Sequence, residues 1–176
     1  MKITLSGLPG SGTTSVATIL SEKFGMECLS AGVIFRELAR ESGLSLEEFG
    51  KVAENDPKFD ELIDRKQKEV ASKRDNLLVE GRLSGHMIDA DLKIWMEAPL
   101  EIRAERVAQR EKLQFEEAKK EIIKREDCEL NRYEEYYKID LKDLSIYDLI
   151  IDSSKKDPES IAEIIISKVE ALKRCN

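Results

Sequence analysis

Histidine and tryptophan each occur once in this chain of 176 residues, and cysteine only three times. Each scarcity closes off a class of function. His86 has no neighbours in sequence with which to build a metal site. Cys28, Cys128 and Cys175 are odd in number, widely spaced and without a CxxC pair, so no disulfide framework is expected and a reducing, cytoplasmic setting is. No run approaches the roughly 20 apolar residues that span a membrane. The opening "MKITLSGLPG" turns to glycines too early for a secretory leader. A net charge of −7, with no pattern of interleaved aromatic and basic residues, argues against a nucleic-acid surface. Repeats and low-complexity linkers are lacking as well. What is present, 41% hydrophobic and 37% charged residues, describes one globular domain able to bury its own core.

Five short apolar runs read as strands: Lys2–Ser6, Glu27–Ser30, Asn76–Glu80, Leu92–Ala98 and Tyr147–Asp152. Between them lie helical patterns with start signals. Asp56-Pro57 and Asp157-Pro158 each join an N-cap to a first-turn proline, Ser45 with Glu48 makes a capping box, and Pro99 opens another helix. The last helix repeats Ile161, Ile164, Ile165, Ser167 and Val169 as a mainly apolar stripe. Alternation of strand and helix predicts a parallel sheet covered on both faces, with "LLVEG" and "YDLIID" apolar enough for central strands. Residues 31–75 and 111–138 are too long and too helical for simple crossovers. Both leave or approach the carboxyl rim of the sheet, where an α/β fold binds its ligand.

One further absence is local. The stretch "SGLPGSGTTS" has the glycine spacing of a phosphate-binding loop, with Gly7, Gly12 and the hydroxyl of Thr14 in place, but Thr13 stands where the lysine belongs. The cradle itself needs no lysine. Glycines let successive backbone N–H groups converge on a phosphate, and the following helix adds its unpaired N–H groups and dipole. Gly7, Leu8, Pro9, Gly10, Ser11, Gly12, Thr13, Thr14 and Ser15 are therefore the candidate nucleotide-binding residues, with Thr14 placed to reach Mg²⁺. A mobile positive charge is missing, and arginines elsewhere must supply it.

Four stretches offer them. In "SAGVIFRE", Ser30 is the expected N-cap and Arg36 follows about a turn and a half into the helix. In "VEGRLSG", Arg82 sits beside the loop and Glu80 could hold a Mg²⁺-bound water. In "PLEIRAERVAQRE", Arg103, Arg106 and Arg110 share a helix face. Pairing with Glu101 and Glu105 on a solvated face is the plain alternative, strongest for Arg103. In "REDCELNR", Arg125, Glu129 and Arg132 form one stripe, suited either to a sugar-phosphate or to an exposed salt-bridge ladder. Asp60, Asp64 and Gln67 share a face in the 31–75 interval and could read a base or simply pair with Arg65 and Lys68. Trp95 lies on a strand pattern and reads as core.

Taken in order, "GLPGSGTTSVA", "SAGVIFRELA", "VEGRLSG", "EIRAERVAQRE", "REDCELNRY" and "YYKIDLKDLSIYDLIID" resemble the nucleoside monophosphate kinases, most closely the archaeal-type cytidylate kinases, over essentially the whole chain. The resemblance implies an α/β, three-layer P-loop kinase fold with a five-stranded parallel sheet. It divides the chain into a core (1–30, 76–110, 132–176), a helical monophosphate-binding insert (31–75) and a helical lid (111–131). It implies ATP as donor with Mg²⁺, and CMP and dCMP as small-molecule acceptors; a monomer is the expectation for the chain. By the same likeness Arg36 and Arg82 bind the acceptor phosphate, Arg125 to Arg132 engage the acceptor nucleotide, and Arg106 and Arg110 engage the ATP phosphates. Thr13 departs from the general kinase pattern, though the archaeal-type branch accepts Thr-Thr. Two other readings stand beside this one: a kinase for AMP, UMP or shikimate, and an ATP-binding switch that transfers nothing.

Overall fold

The structure, a computed structural model, describes residues 1–44, 48–49, 52 and 58–175. Ser45 of the expected capping box and the Asp56-Pro57 helix start lie outside the described residues. The strands are β1 (Lys2–Gly7), β2 (Glu27–Ser30), β3 (Leu77–Glu80), β4 (Leu92–Glu97) and β5 (Leu149–Asp152). They form one parallel sheet in the order β2-β3-β1-β4-β5. The helices are α1 (Thr13–Phe24), α2 (Ala31–Glu41), α3 (Lys58–Lys73), the short α4 (Ser84–Met87), α5 (Leu100–Glu111), α6 (Phe115–Arg132) and α7 (Pro158–Cys175). A π-helical turn, Tyr133–Tyr137, extends α6.

Period-two alternation builds the centre of the sheet. Ile3 and Leu5 of β1 join Leu78, Leu92, Ile94 and Met96 under α1 and α7, while Leu77 and Val79 face the other way, onto Ala71 of α3 and Ile88. All four residues of β3 are buried, as a doubly covered strand requires. The polar positions of β1 also go inside: Ser6 and Ser84 hydroxyls lie 2.9 Å apart, and Gly85 N–H donates to Ser6 Oγ. Trp95 is core, 5.3 Å from the Tyr147 ring centre to centre.

Two expectations change. "YDLIID" is not a central strand: among the described residues β5 pairs with β4 alone, and Ile150 is 46% exposed. Apolar composition cannot separate an edge from a centre when the strand is only four residues long. On α7 the buried stripe is Ile161, Ala162, Ile165 and Val169, with Ile164 and Ser167 turned outward. Ile164 is displaced by about 100° from Ile165 around the helix, enough to leave the sheet-facing side. The start of α7 is as expected: Asp157 Oδ1 accepts the Ser160 N–H at 2.7 Å, which with the other local hydrogen bonds holds its carboxyl below the usual range.

The 31–75 interval has its own small core, in which Ile34, Leu38 and Ile63 surround a fully buried Phe49. Phe49 lies edge-on between Phe35 and Phe59. Helices α5 and α6 pack through Ala104, Val107, Ala118 and Ile122. They are joined by a tight corner in which Lys112 adopts φ 59°, the conformation glycine usually supplies at a helix end.

Candidate active site

The glycine loop joins β1 to α1 at the carboxyl end of the central strand. Ser11 N–H closes a turn onto the Leu8 carbonyl at 3.1 Å. Gly12 enters the helix at φ 92°, and Gly10 sits at φ 80° with no room for a side chain: a Cβ there would lie 2.6 Å from the Arg103 carbonyl oxygen. Gly10 therefore requires glycine, and the positive φ of Gly12 strains any other residue.

The loop carbonyls face outward, and arginines hold them. Arg103 Nη1 donates to the Pro9 carbonyl at 3.2 Å. Arg106 Nη1 donates to those of Gly10 and Ser11 at 3.3 and 3.4 Å, and Ser153 Oγ donates to Ser11 at 2.8 Å. In a trans peptide the C=O and the following N–H point opposite ways. Fixing the Pro9 and Ser11 carbonyls against α5 and the end of β5 thus turns the Gly10 and Gly12 N–H groups to the side opposite those elements. Ser153, directly after β5, has no counterpart among the motifs read from the sequence.

Thr13 reaches toward the neighbouring strand β3. Its hydroxyl donates to Glu80 Oε1 at 2.7 Å, and Ser30 donates to Glu80 Oε2 at 2.6 Å. Glu80 is 8% exposed, and the buried Gln67 amide donates to its main-chain carbonyl at 3.1 Å. Ser30 is the N-cap residue of α2 by position, but its hydroxyl serves Glu80 and makes no cap. Gln67 is likewise taken up inside rather than presented to a base. Asp60 and Asp64 fall on α3, and their side chains lie outside the described residues. Thr14 and Ser15 are exposed on the first turn of α1.

Arg82, just after β3, pairs through Nε with Glu129 Oε2 of α6. Arg125 takes the other oxygen of Glu129 at 2.9 Å. The Arg82 and Glu129 side chains are 18% and 9% exposed, so this is a mostly desolvated pair. Arg132 is half-buried one turn further along α6. Arg36 is exposed on α2, its guanidinium reaching back over Gly32. Arg110 is exposed and paired with its neighbour Glu111.

Arg103 decides between two readings that the sequence left open. It does not lie on a solvated face with Glu101 and Glu105: it is 6% exposed and pairs with Glu126, while Glu101 is taken by Lys119 at 3.0 Å. Arg106 differs again. Among the described residues its four hydrogen bonds go to the Gly10, Ser11 and Ser153 carbonyls and the Ser153 hydroxyl, none to a carboxylate. Its guanidinium faces neutral acceptors on the loop and just after β5. Among the described residues no group of three or more His, Cys, Asp or Glu side chains gathers as a metal cluster, and no helix is long and apolar enough to cross a membrane.

Residues 2–155 match the cytidylate kinase-like family. The chain is 54% identical to a cytidylate kinase of Methanocella arvoryzae, covering 99% of each. It is 49% identical to one of Methanocaldococcus jannaschii, covering 99% of this chain and 100% of the relative. Among solved structures, a shikimate kinase of Aquifex aeolicus shares the fold at a TM-score of 0.60 and 18% identity, with 97% of each chain covered. An uncharacterised protein of Eubacterium ventriosum does so at 0.70 and 19%, covering 97% of this chain and 98% of that one.

Proposed function

Because the chain belongs to the cytidylate kinase-like family, we propose that it transfers the γ-phosphoryl group of ATP to CMP, and to dCMP, releasing ADP and the diphosphate. The observation that carries this reading is the near-complete match to named cytidylate kinases at about half identity. A phosphate cradle and an arginine-rich rim at the same end of the sheet support it.

Residues Gly7 to Ser15 hold the donor phosphates, with Arg106 behind the loop and Arg110 further along α5. Ser30, Arg36 and Arg82 receive the acceptor phosphate. Arg125, Glu129 and Arg132 engage the acceptor nucleotide from α6, and Asp60 and Asp64 serve the base. Thr14 and Glu80 suit Mg²⁺, which keeps several waters and takes few protein ligands. Thr14 is exposed, and the two Glu80 oxygens, one accepting from Thr13 and the other from Ser30, keep further acceptor capacity. When bound, the ion neutralises charge on the transferring group.

No general base is needed. The acceptor phosphate has a second pKa of about 6 and is mostly a dianion at neutral pH. The task is to bring two anions in line and spread the charge that develops. Two unit charges about 4 Å apart interact by about 4 kcal/mol at an effective dielectric near 20, so several arginines outweigh one absent lysine. Closure of the 31–75 insert and the 111–131 lid excludes water that would otherwise hydrolyse ATP. The protein acts as a cytoplasmic monomer on small nucleotides, without nucleic-acid or membrane partners.

The test is an acceptor panel (CMP, dCMP, UMP, AMP and shikimate) in an assay coupled to ADP release. Turnover highest with CMP or dCMP is expected. Preference for another acceptor, or tight ATP binding with no transfer to any, overturns the proposal.

A further inference from the structure

Arg103 lies in the "EIRAERVAQRE" stretch but has no part in the proposed chemistry, yet it occupies the junction of three elements. Its Nε donates to the Ala98 carbonyl at 2.9 Å, where β4 runs into α5. Nη1 donates to Pro9 in the phosphate loop, and the guanidinium pairs with Glu126 on α6. The loop also rests on its backbone: a Cβ on Gly10 would lie 2.9 Å from Arg103 Cβ and 3.0 Å from its Cα. An arginine only 6% exposed needs a counter-ion, and Glu126 comes from the helix that begins at Phe115.

From this geometry we infer that Arg103 is a positioning residue for the donor site, and that Glu126 makes its hold on the loop depend on α6 being docked against α5. The inference rests on the donor-site reading given above. The Pro9 carbonyl is fixed by Arg103 and, one turn on, the Gly10 and Ser11 carbonyls are fixed by Arg106. Gly10, at φ 80°, has the conformational freedom to turn its flanking peptides over. Arg103 removes that freedom at the Pro9–Gly10 peptide and keeps the Gly10 N–H aimed at the phosphate. Displacing α6 withdraws Glu126, leaves the guanidinium without its partner, and loosens the loop. Glu126 and Glu129 are three residues apart on α6, so one helix face carries the counter-ions of both Arg103 and Arg82. The donor loop and the end of β3 thereby respond to the same rigid element.

The test separates positioning from mere stability. Arg103→Met/Glu126→Leu replaces the buried pair with apolar groups, which preserves stability in many proteins while removing the tie to Pro9. Arg103→Lys keeps a charge for Glu126 but loses the fork, and Glu126→Gln keeps shape but loses charge. Urea midpoints, KM for ATP and for CMP, and ADP binding by calorimetry are measured for each. In the double variant ADP affinity is expected to fall and KM for ATP to rise about tenfold, as for one hydrogen bond to a charged group, with KM for CMP within about twofold. The two single variants are expected to show the same donor-selective loss, smaller in size. ADP affinity unchanged in folded variants, or KM for both substrates rising in parallel, overturns the assignment. Calorimetry reads the loop without turnover, so the role of Arg103 is decided even in a chain that transfers no phosphoryl group.

Discussion

Replacing Glu129 with glutamine tests whether Arg82 is held ready for an anion by a carboxylate that gives way to one. The substitution keeps the shape and one acceptor oxygen but removes the charge shared by Arg82 and Arg125. Breaking a buried ion pair by removing one partner costs about 3–5 kcal/mol. Here Arg82 retains 18% exposure and the amide oxygen still accepts, so about 2–3 kcal/mol is expected from that side. The Arg125 contact, whose side chain is 55% exposed, adds only about 0.3–0.5 kcal/mol. For a domain of this size each kcal/mol lowers the melting temperature by roughly 2–4 °C, giving a fall of roughly 5–14 °C. Calorimetric melting in chloride and in millimolar phosphate at equal ionic strength is the assay. Phosphate supplies the missing counter-charge, so it should raise the variant's melting temperature more than the wild type's. A variant that melts with the wild type, or equal phosphate shifts in both, refutes the reasoning.

Arg82→Ala should lower kcat/KM for CMP by about 10²–10³, the loss seen when one preorganised donor to developing charge is removed; near-wild-type turnover would undo its assignment. Thr13→Lys places an ammonium beside Glu80 rather than restoring a missing function, so kcat should shift by less than about tenfold, read in the same ADP-release assay. His86 lies edge-on to Tyr147 at 6.0 Å, and burial, then Lys93, pushes its pKa below 6.5 despite the opposing charge of Asp143. The unfolded chain therefore binds that proton more readily. Its contribution to stability is present above pH 6.5 and is lost as the pH falls through the depressed folded value. His86→Gln should lose less of its urea midpoint than the wild type between neutral pH and about pH 5; parallel losses would contradict the sign.

Short-range physics made much of this molecule legible in advance. Strands appear where apolar residues run or alternate, α7 starts where Asp157 can cap it, and Gly10 and Gly12 mark backbone at positive φ that glycine adopts without strain. Those signals depend on neighbours within a few positions, and the order of residues specifies them directly. Which arginine does what is a different kind of question. Arg103, Arg106 and Arg110 share their chemistry and a three-and-four spacing on one helix, yet one is buried against Glu126, one braces the loop, and one is exposed beside Glu111. Ile150 and Ile164 look as apolar as their buried neighbours and lie outside because β5 is an edge and α7 presents a narrow face. The partners that decide these outcomes, Glu126 from α6 and Ser153 beyond β5, arrive from 23 and 47 residues away. Only packing of helices on the sheet brings them within hydrogen-bond reach, because desolvation and pairing depend on what surrounds a side chain in space, not on what precedes it along the chain.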